Sequence, residues 1–401
     1  MFLNFKISNY RSIGEEIVID FSIRDRQKLG ACAEINGQPI NNITCLVGPN
    51  ASGKSNVLKG IVQFLNFANK SYSSSFYKCA FTTHFCGDDS HTGFSTEFID
   101  KKNQYRYEVS IQHNMVQEEV LLKRDETTKR YSYIFNRGIR NKISFSKVIK
   151  INKQDLSRLG DDVSLLSLLF ELNYFKKNDL LVFKNFYANV YPEFIIITQA
   201  PEGRMNIISQ RLQDDNILLD ELIEELKAID TGISSLELKR GGRKYIDMVS
   251  EKMPKKREWS TILTKHKVAN KDYSLSMLEE SSGTLHYIET FMHLSKVLQN
   301  GGIFIIDELE QSLHPDLTSR VINRFMNKDK NPNNAQLLFT THNPWFLQDL
   351  TKTQIIITEK NDQAQTETTR LDEIAGVRND ENYFMKYIAG EYDGRPKIKE
   401  A

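Results

Sequence analysis

Residues 48–55, with the sequence GPNASGKS, carry the groups that a protein needs to hold a phosphate. They fit the pattern G-x4-G-K-[ST] at every fixed position, and they stand between a short apolar strand and an amphipathic helix, the context that the pattern requires. Backbone N–H groups of residues 50–54 can surround a phosphate at the positive end of the helix. A chance glycine-rich turn would lack this combination, so we predict a nucleotide-phosphate site.

The residues of this loop have separate predicted roles. Gly48 and Gly53 let the backbone approach a ligand closely, Lys54 neutralises phosphate charge and contributes to catalysis, and Ser55 binds Mg²⁺. We expect ATP to contact Gly48, Pro49, Asn50, Ala51, Ser52, Gly53, Lys54, Ser55 and Asn56.

Two adjacent acids follow an apolar strand in the segment IFIIDELEQSLHP. The carboxyl ends of such strands are where ligand sites of α/β proteins lie. We predict that Asp307 holds Mg²⁺ through water and that Glu308 polarises the attacking water. The competing interpretation, a buried strand that ends in acids at a helix cap, is less favoured beside the phosphate loop.

A histidine ends the next strand, in LLFTTHNP. We predict that His342 lies at the same sheet edge, near the γ-phosphate, where a neutral imidazole can exchange a hydrogen bond with phosphate or water. A single histidine at a strand end is more often structural, but its place after the Asp-Glu strand favours a catalytic role.

The elements that must position these residues indicate an α/β fold. In the last third of the chain, helices alternate with wholly apolar strands, which is typical of a parallel sheet covered on both faces. This parallel core closes around the first strand-loop-helix unit, with an antiparallel β lobe and a helical insertion between. The two parts of the nucleotide-binding head are predicted at residues 1–69 and 271–360. Between them we expect the β lobe at 70–155, the mostly helical insertion at 156–235 with a strand at 193–198, and a β-hairpin region at 236–270. Residues 361–401 form a tail that we expect to be loosely held from Arg378.

Bulk properties exclude several classes of protein. The 401 residues include 53 basic and 52 acidic side chains, so the net charge of +1 gives no general attraction to nucleic acid. No apolar run is long enough to span a bilayer, and no signal peptide is evident at the start. Four cysteines are too few for a disulfide framework, so we expect a reduced cytoplasmic protein. Cys79, His84, Cys86 and His91 alternate but lack the close cysteine pair of common zinc modules.

The order of these motifs resembles that of ABC-type ATPases, including the SMC, RecF and OLD branches. Their LSGGQ signature aligns with ESSGT, residues 280–284. One helix and one strand separate this segment from Asp307. Two further segments, NYRSI at residues 9–13 and ELEQSLHP, resemble motifs of AAA-family proteins related to OLD nucleases and RecF. The ending YIAGEYDGRP resembles the C-terminal region of stand-alone ATPases of the AbiLi/RloA kind. The resemblance implies a P-loop ABC-type ATPase head.

This resemblance also implies a head-to-head homodimer with ATP held between one subunit's phosphate loop and the other's signature. Ser281 and the N–H groups of Ser282 and Gly283 would meet the γ-phosphate of the opposite subunit. A helix cap alone also explains this segment. The resemblance further implies a Mg²⁺-contacting glutamine and an approach of Arg11 to the nucleotide; the candidate glutamines are Gln112, Gln117, Gln154 and Gln199.

Stand-alone ATPases of this kind resemble subunits of bacterial anti-phage defence systems that act with a separately encoded effector, often a Toprim-like or HNH nuclease. We therefore expect an ATPase that controls such a partner. The alternative is a RecF-like ATPase that binds DNA in recombination or repair, using the basic runs at residues 238–245 and 252–259, which a solvated hairpin explains equally. A transporter ATPase or an SMC-type tether is disfavoured by the altered signature and the lack of long heptads.

Overall fold

The structure is a computed structural model and describes most of the chain. The described residues are 1–24, 30–87, 90–139, 142–147, 149–176, 179–189, 201–229, 231–240, 260–269, 271–392 and 394. The strand expected at residues 193–198 lies outside them.

The described residues form eighteen strands and nine α-helices. The strands are β1 Phe2–Ser8, β2 Ile17–Asp20, β3 Cys32–Ile35, β4 Gln38–Asn41, β5 Ile43–Val47, β6 Thr92–Asp100, β7 Asn103–Gln112, β8 Met115–Arg124, β9 Tyr131–Gly138, β10 Lys142–Phe145, β11 Phe186–Asn189, β12 Ile233–Arg240, β13 Ser260–Val268, β14 Lys271–Ser276, β15 Ile303–Ile306, β16 Gln336–Thr341, β17 Ile355–Lys360 and β18 Thr366–Arg370. The helices are α1 Lys54–Lys70, α2 Lys153–Leu156, α3 Leu165–Glu171, α4 Leu181–Lys184, α5 Pro201–Asp214, α6 Asn216–Ala228, α7 Ser282–Asn300, α8 Pro315–Met326 and α9 Tyr383–Ala389.

The chain divides into two compact units. The first unit comprises Met1–Val190, Val297–Leu309 and Ile322–Ala401, and the second comprises Tyr191–Lys296 and Glu310–Val321. Both units are therefore assembled from segments that are distant in sequence.

The first unit contains a six-stranded sheet in the order β11-β15-β16-β5-β17-β18. All neighbours are parallel except β17 and β18, which are antiparallel. Every residue of β5, β15 and β16 is buried, as expected for strands covered on both faces. The parallel core predicted from the sequence is confirmed, with β5 between two strands that come almost three hundred residues later in the sequence.

The antiparallel lobe is a seven-stranded sheet in the order β10-β9-β8-β7-β6-β1-β2. The meander β6 to β10 follows the predicted order, and the first two strands extend the same sheet. Alternate residues of β1 are buried, because one face packs on the core. Phe64 of helix α1 stacks on Phe94 and Tyr107 of this sheet, with ring centroids 5.3 and 5.5 Å apart. Thus the helix that follows the phosphate loop is held by the antiparallel sheet.

The second unit contains helices α5 and α6 and the three-stranded sheet β12-β13-β14. Strands β12 and β13 are antiparallel partners, as expected for a hairpin, and β14 adds a third strand up to Ser276. Residues 241–259 of the predicted β-hairpin region lie outside the described residues. Glu225 of α6 is buried and accepts hydrogen bonds from Tyr287 and from Arg320, at 2.6 Å from the Arg320 Nε atom.

The C-terminal part of the chain differs from the loosely held tail expected from its charge. Strand β18 joins the parallel sheet at its edge, and Phe384 of α9 contacts Trp345 with ring centroids 5.7 Å apart. The Tyr387 hydroxyl donates to the carbonyl of Gly394 at 2.7 Å. Buried tyrosines among the charged residues explain this packing. Within the described ranges, no helix is both long and apolar enough to cross a membrane.

Candidate functional site

The loop between β5 and α1 is folded around the side chain of Lys54. The Lys54 Nζ atom donates hydrogen bonds to the carbonyl oxygens of Gly48 and Pro49, at 2.8 and 3.0 Å. Ala51 and Gly53 have φ angles of +63° and +108°, in the left-handed region. Positive φ angles of this kind occur in the backbone turns that bind anions.

The N-terminus of α1 has no competing ligand of its own. Gly53 is the N-cap residue, its side chain cannot cap the helix, and the first turn contains no acidic residue. The free N–H groups and the positive end of the 17-residue helix are therefore available for phosphate.

The glycines of the loop are required by close contacts with strands β17 and β18. A Cβ atom at Gly48 would lie 2.0 Å from the carbonyl oxygen of Thr358, and one at Gly53 would lie 2.0 Å from Oγ1 of Thr366. Larger residues would consequently push the loop out of place. The hydroxyl of Ser52 is buried without a hydrogen-bond partner. Small residues, the free N–H groups of α1 and one lysine form a donor set that suits a nucleotide phosphate.

The two predicted acids follow β15 directly. Asp307 accepts a hydrogen bond at Oδ1 from the hydroxyl of Thr340, at 2.6 Å. The N–H group of Glu308 donates to the same hydroxyl at 2.7 Å, and Glu308 has a φ angle of +49°. Such a conformation is unusual for a residue with a side chain and often marks a functional site.

His342 follows β16, the neighbouring parallel strand. Strand β16 ends at Thr341, so His342 is the first residue beyond it. The Nε2 atom of His342 lies 3.3 Å from Oε1 of Glu308. The predicted water-orienting acid and the predicted histidine are thus neighbours at the carboxyl edge of the sheet.

A single open cleft of about 610 Å³ brings the central residues together. It is lined by Asn50, Ala51, Gly53, Lys54, Ser55, Asn56, Glu308 and His342, all in the first unit. Asp307 lies behind this surface against Thr340, while Gly48 and Pro49 hold Lys54. The cleft therefore contains most of the predicted loop contacts together with both predicted catalytic side chains of the sheet edge.

Two segments that the sequence does not connect support the loop. The Ser12 hydroxyl lies 2.8 Å from Oγ1 of Thr366 and accepts a hydrogen bond from the Asn56 amide at 2.8 Å. The Thr366 hydroxyl also donates to the carbonyl of Ser52 at 3.0 Å. The Nε atom of Arg11 donates to the Tyr10 hydroxyl, and Arg11 is not among the residues that line the cleft. The NYRSI turn thus contacts the loop through Ser12.

The ESSGT segment begins helix α7 in the second unit. Ser281 is the capping residue, because its hydroxyl accepts from the N–H of Thr284 at 3.1 Å and its carbonyl accepts the first helical bond from Leu285. The helix starts at Ser282, and the helix cap expected in this segment is supplied by Ser281. A Cβ atom at Gly283 would lie 2.8 Å from the carbonyl oxygen of Ser312, which explains a glycine at this position.

Other candidates from the sequence lie elsewhere or act locally. Gln112, Gln117 and Gln154 do not line the cleft, and Gln199 lies outside the described residues. Burial raises the pKa of the Cys79 thiol, which opposes metal binding. Cys86 donates its backbone N–H to Nδ1 of His84, and Nδ1 of His91 lies 2.9 Å from the Ser110 hydroxyl. The described part of the chain shows no group of three or more His, Cys, Asp or Glu residues placed to hold a metal.

The sequence matches one family, described as "AAA domain, putative AbiEii toxin, Type IV TA system", over residues 43–347. The matched region runs from the first residue of β5 past His342, and so contains every residue of the cleft. The chain belongs to this AAA family. No curated protein matches the sequence.

Two solved structures are similar to this AAA protein at low sequence identity, each with a TM-score below 0.5. One is an SMC head bound to the C-winged helix domain of ScpA, with 13% identity over 92% of this chain and 96% of that chain and a TM-score of 0.48. The other is the SMC head domain from Thermotoga maritima, with 11% identity over 92% of this chain and 98% of that chain and a TM-score of 0.41. Family membership identifies an ATPase of the AAA type, a class that binds nucleotide, usually with Mg²⁺.

Proposed function

We propose that this AAA protein hydrolyses ATP at the cleft between the phosphate loop and the end of β15. One observation carries the proposal: the side chains of Lys54, Glu308 and His342 line the same cleft at the carboxyl edge of the parallel sheet. Glu308 and His342 are adjacent there, with 3.3 Å between the Glu308 Oε1 and His342 Nε2 atoms. An acid beside a histidine, facing a phosphate-binding helix, is suited to transfer of a phosphoryl group to water.

Each side chain has one role in this proposal. Lys54 leaves its two carbonyl partners for the phosphates of ATP, and Glu308 orients the attacking water. His342 donates or accepts a hydrogen bond at the γ-phosphate, and Ser55 and Asp307 hold Mg²⁺. When bound, Mg²⁺ neutralises the charge that develops on the phosphate oxygens.

The proposal includes a second copy of the chain. The cleft is open, and the residues that line it belong to the first unit only. In the ABC-type arrangement, Ser281, Ser282 and Gly283 of a second copy would cover the γ-phosphate. The capped start of the 19-residue helix α7, with N–H groups at its positive end, is suited to that contact.

We further propose that the ATP-bound state controls a separately encoded effector, such as a Toprim-like or HNH nuclease, in defence against phage. The family description, which names a toxin of a type IV toxin-antitoxin system, supports a two-component system of this general kind. The motifs shared with OLD-like and AbiLi/RloA-type ATPases support the same assignment.

The test uses two variants of the full chain. Lys54→Ala is expected to lose ATP binding, and Glu308→Gln is expected to retain ATP, lose hydrolysis and accumulate as a dimer. Affinity for a fluorescent ATP analogue, phosphate release and light scattering measure these three properties. Unchanged affinity in Lys54→Ala would contradict the site, and unchanged phosphate release in Glu308→Gln would contradict the role of the acid.

A RecF-like DNA-binding function is the second hypothesis. Its basic runs fall mainly on residues 241–259, outside the described residues. In the described part, Lys239 and Lys265 flank Glu237 at 3.7 and 3.2 Å, so local acid balances their charge. Purification of the protein together with the products of its neighbouring genes distinguishes the two hypotheses: a co-purified nuclease favours effector control, and bound duplex DNA without a partner favours the second.

A further inference from the structure

The hydroxyl of Thr340 joins the two acids of the cleft. Thr340 is completely buried in β16. Its Oγ1 atom donates to Asp307 Oδ1 at 2.6 Å and accepts from the Glu308 N–H at 2.7 Å. A hydroxyl has one hydrogen to donate and lone pairs that accept, so it satisfies both partners at once. A carboxylate, which only accepts, or an ammonium group, which only donates, could not replace it.

The contact with Glu308 stabilises a backbone conformation that the residue would not adopt alone. A φ angle of +49° costs free energy in a residue with a side chain. The Glu308 N–H bonds to the Thr340 hydroxyl, and the next N–H, of Leu309, bonds to the Thr340 carbonyl at 3.1 Å. This backbone turn directs the Glu308 carboxylate to within 3.3 Å of His342. Loss of the hydroxyl would allow the turn to relax and the carboxylate to move away.

The contact with Asp307 orients the other acid. Because Oδ1 accepts a hydrogen bond from the Thr340 hydroxyl, the rotation of the carboxylate is restricted and Oδ2 would be left to interact with Mg²⁺ or its water. Partners of this kind, which hold a metal-binding group without touching the metal, set its orientation and basicity. One hydroxyl thus governs the geometry of the metal-binding acid and of the water-orienting acid.

We propose that Thr340 is a positioning residue that couples the metal-binding carboxylate of Asp307 to the catalytic conformation of Glu308. This inference rests on the proposed ATPase function. It adds that the metal and the attacking water are aligned by the same side chain, so removal of its hydroxyl impairs both metal use and turnover.

The experiment compares three variants with the wild type. Thr340→Val removes the hydroxyl and keeps the shape, and Thr340→Ser restores the hydroxyl. Thr44→Val is the matched control, because Thr44 is equally buried in β5 of the same sheet and its hydroxyl has no hydrogen-bond partner. Hydrolysis kinetics, ATP affinity without metal, and Mn²⁺ binding with a non-hydrolysable ATP analogue are measured for each protein, together with the melting temperature.

The expected result separates turnover and metal binding from nucleotide affinity. Thr340→Val should lower kcat and weaken Mn²⁺ binding, each by about 10–100-fold, as for other partners of metal ligands. ATP affinity without metal should stay within a factor of about two, since Thr340 lies outside the phosphate loop. Thr340→Ser and Thr44→Val should both resemble the wild type.

Several outcomes would overturn the inference. If Thr340→Val and Thr44→Val have equal kcat and equal Mn²⁺ affinity, the Thr340 hydroxyl has no role. The same conclusion follows if Thr340→Ser loses as much kcat and Mn²⁺ affinity as Thr340→Val. If Thr340→Val does not fold, Thr340→Cys, which matches Ser in shape but is a weak donor, takes its place. A wild type that binds Mn²⁺ and nucleotide without hydrolysis contradicts the proposed function alone, and Mn²⁺ binding then decides the role of Thr340. A wild type that binds neither contradicts both.

Discussion

The carboxylate of Glu280 lies 2.8 Å from Nε2 of His266 and also accepts a hydrogen bond from the hydroxyl of Thr264. Glu280 is the residue before the capping Ser281, and both donors belong to β13. The start of helix α7 is therefore tied to the three-stranded sheet of the second unit. The aligned family motif has leucine at this position, which could not form these hydrogen bonds. Glu280 thus connects the ESSGT segment to strand β13 of the β-hairpin region.

Removal of either the Glu280 or the His266 side chain should lower both the free energy of unfolding and the rate of hydrolysis. Glu280→Ala and His266→Ala are each expected to cost about 1–3 kcal/mol of unfolding free energy, because a mostly buried hydrogen-bonding group loses its partner. Hydrolysis should fall several-fold with unchanged ATP affinity. Denaturant unfolding and steady-state kinetics check both effects. The double variant should lose less unfolding free energy than the sum of the two single variants. The control Glu237→Gln, at a more exposed ion pair of the same sheet, should change neither the unfolding free energy nor the hydrolysis rate. Additive costs would contradict the connection.

Gly283 should tolerate no side chain. The Cβ atom of Gly283→Ala would lie 2.8 Å from the carbonyl of Ser312, a backbone atom, so the start of α7 or the residues around Ser312 must move. We expect ATP binding within about twofold of the wild type and hydrolysis at least about tenfold lower, the effect of roughly 1.4 kcal/mol in the barrier. Gly138→Ala is the control, since its Cβ atom would meet nothing closer than 4.0 Å. Wild-type turnover in Gly283→Ala would refute a catalytic use of this segment.

The stability of the protein should fall in mild acid because of His293. Burial, with Arg211 and Lys296 nearby, lowers the pKa of His293 to about 2. In the unfolded chain this histidine has a pKa of about 6.5, so it binds a proton in mild acid, whereas in the folded chain it stays neutral. The free energy of unfolding therefore declines as the pH falls below about 6.5. Between pH 6.5 and 5 the loss from this residue should be about 2 kcal/mol.

Denaturant unfolding as a function of pH measures this slope. His293→Gln retains an acceptor for the Arg211 side chain, whose Nη1 atom lies 2.9 Å from His293 Nδ1, but it does not titrate. The variant should therefore have a flatter acid limb. The exposed His314→Gln should leave the slope unchanged. An unaltered slope in His293→Gln would show that other groups cause the acid sensitivity.

A buried ion pair should dominate the stability of the antiparallel lobe. Arg137 and Glu119 are both completely buried, with 3.2 Å between Nη1 and Oε2, and Glu119 also accepts from two N–H groups at the start of α3. Arg137→Met leaves the carboxylate without its countercharge and should cost about 3–5 kcal/mol of unfolding free energy. Lys6→Met, at the exposed pair with Glu16, should cost less than about 1 kcal/mol. Similar losses in the two variants, measured by denaturant unfolding, would contradict this difference.

Local motifs made the centre of the site predictable. The phosphate loop, Asp307 with Glu308, and His342 each stand where a strand ends, and parallel strands bring such ends to one edge. Strand β11 was not expected, because a short strand within a mostly helical stretch has no period of its own to reveal it.

The supports of the site were not predictable in the same way. Ser12 and Thr340 lie within sequence motifs and Thr366 does not, but the role of each depends on partners far away in the chain, which no local pattern identifies. The sequence predicted a cap within ESSGT but could not choose between its adjacent serines, which offer equivalent oxygens until the backbone is known.

The Thr366 hydroxyl that holds the carbonyl of Ser52 joins residues 314 positions apart. At about 5–20 residues per second, a ribosome needs roughly 15–60 s to make the chain between them. During that time the phosphate loop has already been synthesised. Strands β16 and β17, which pair with β5, and strand β18, which contains Thr366, have not yet all been made. A growing chain therefore cannot possess a finished nucleotide pocket until translation has passed residue 366. The order of synthesis therefore delays the completion of this loop, and a chain that ends before residue 366 lacks the hydrogen bond that holds Ser52.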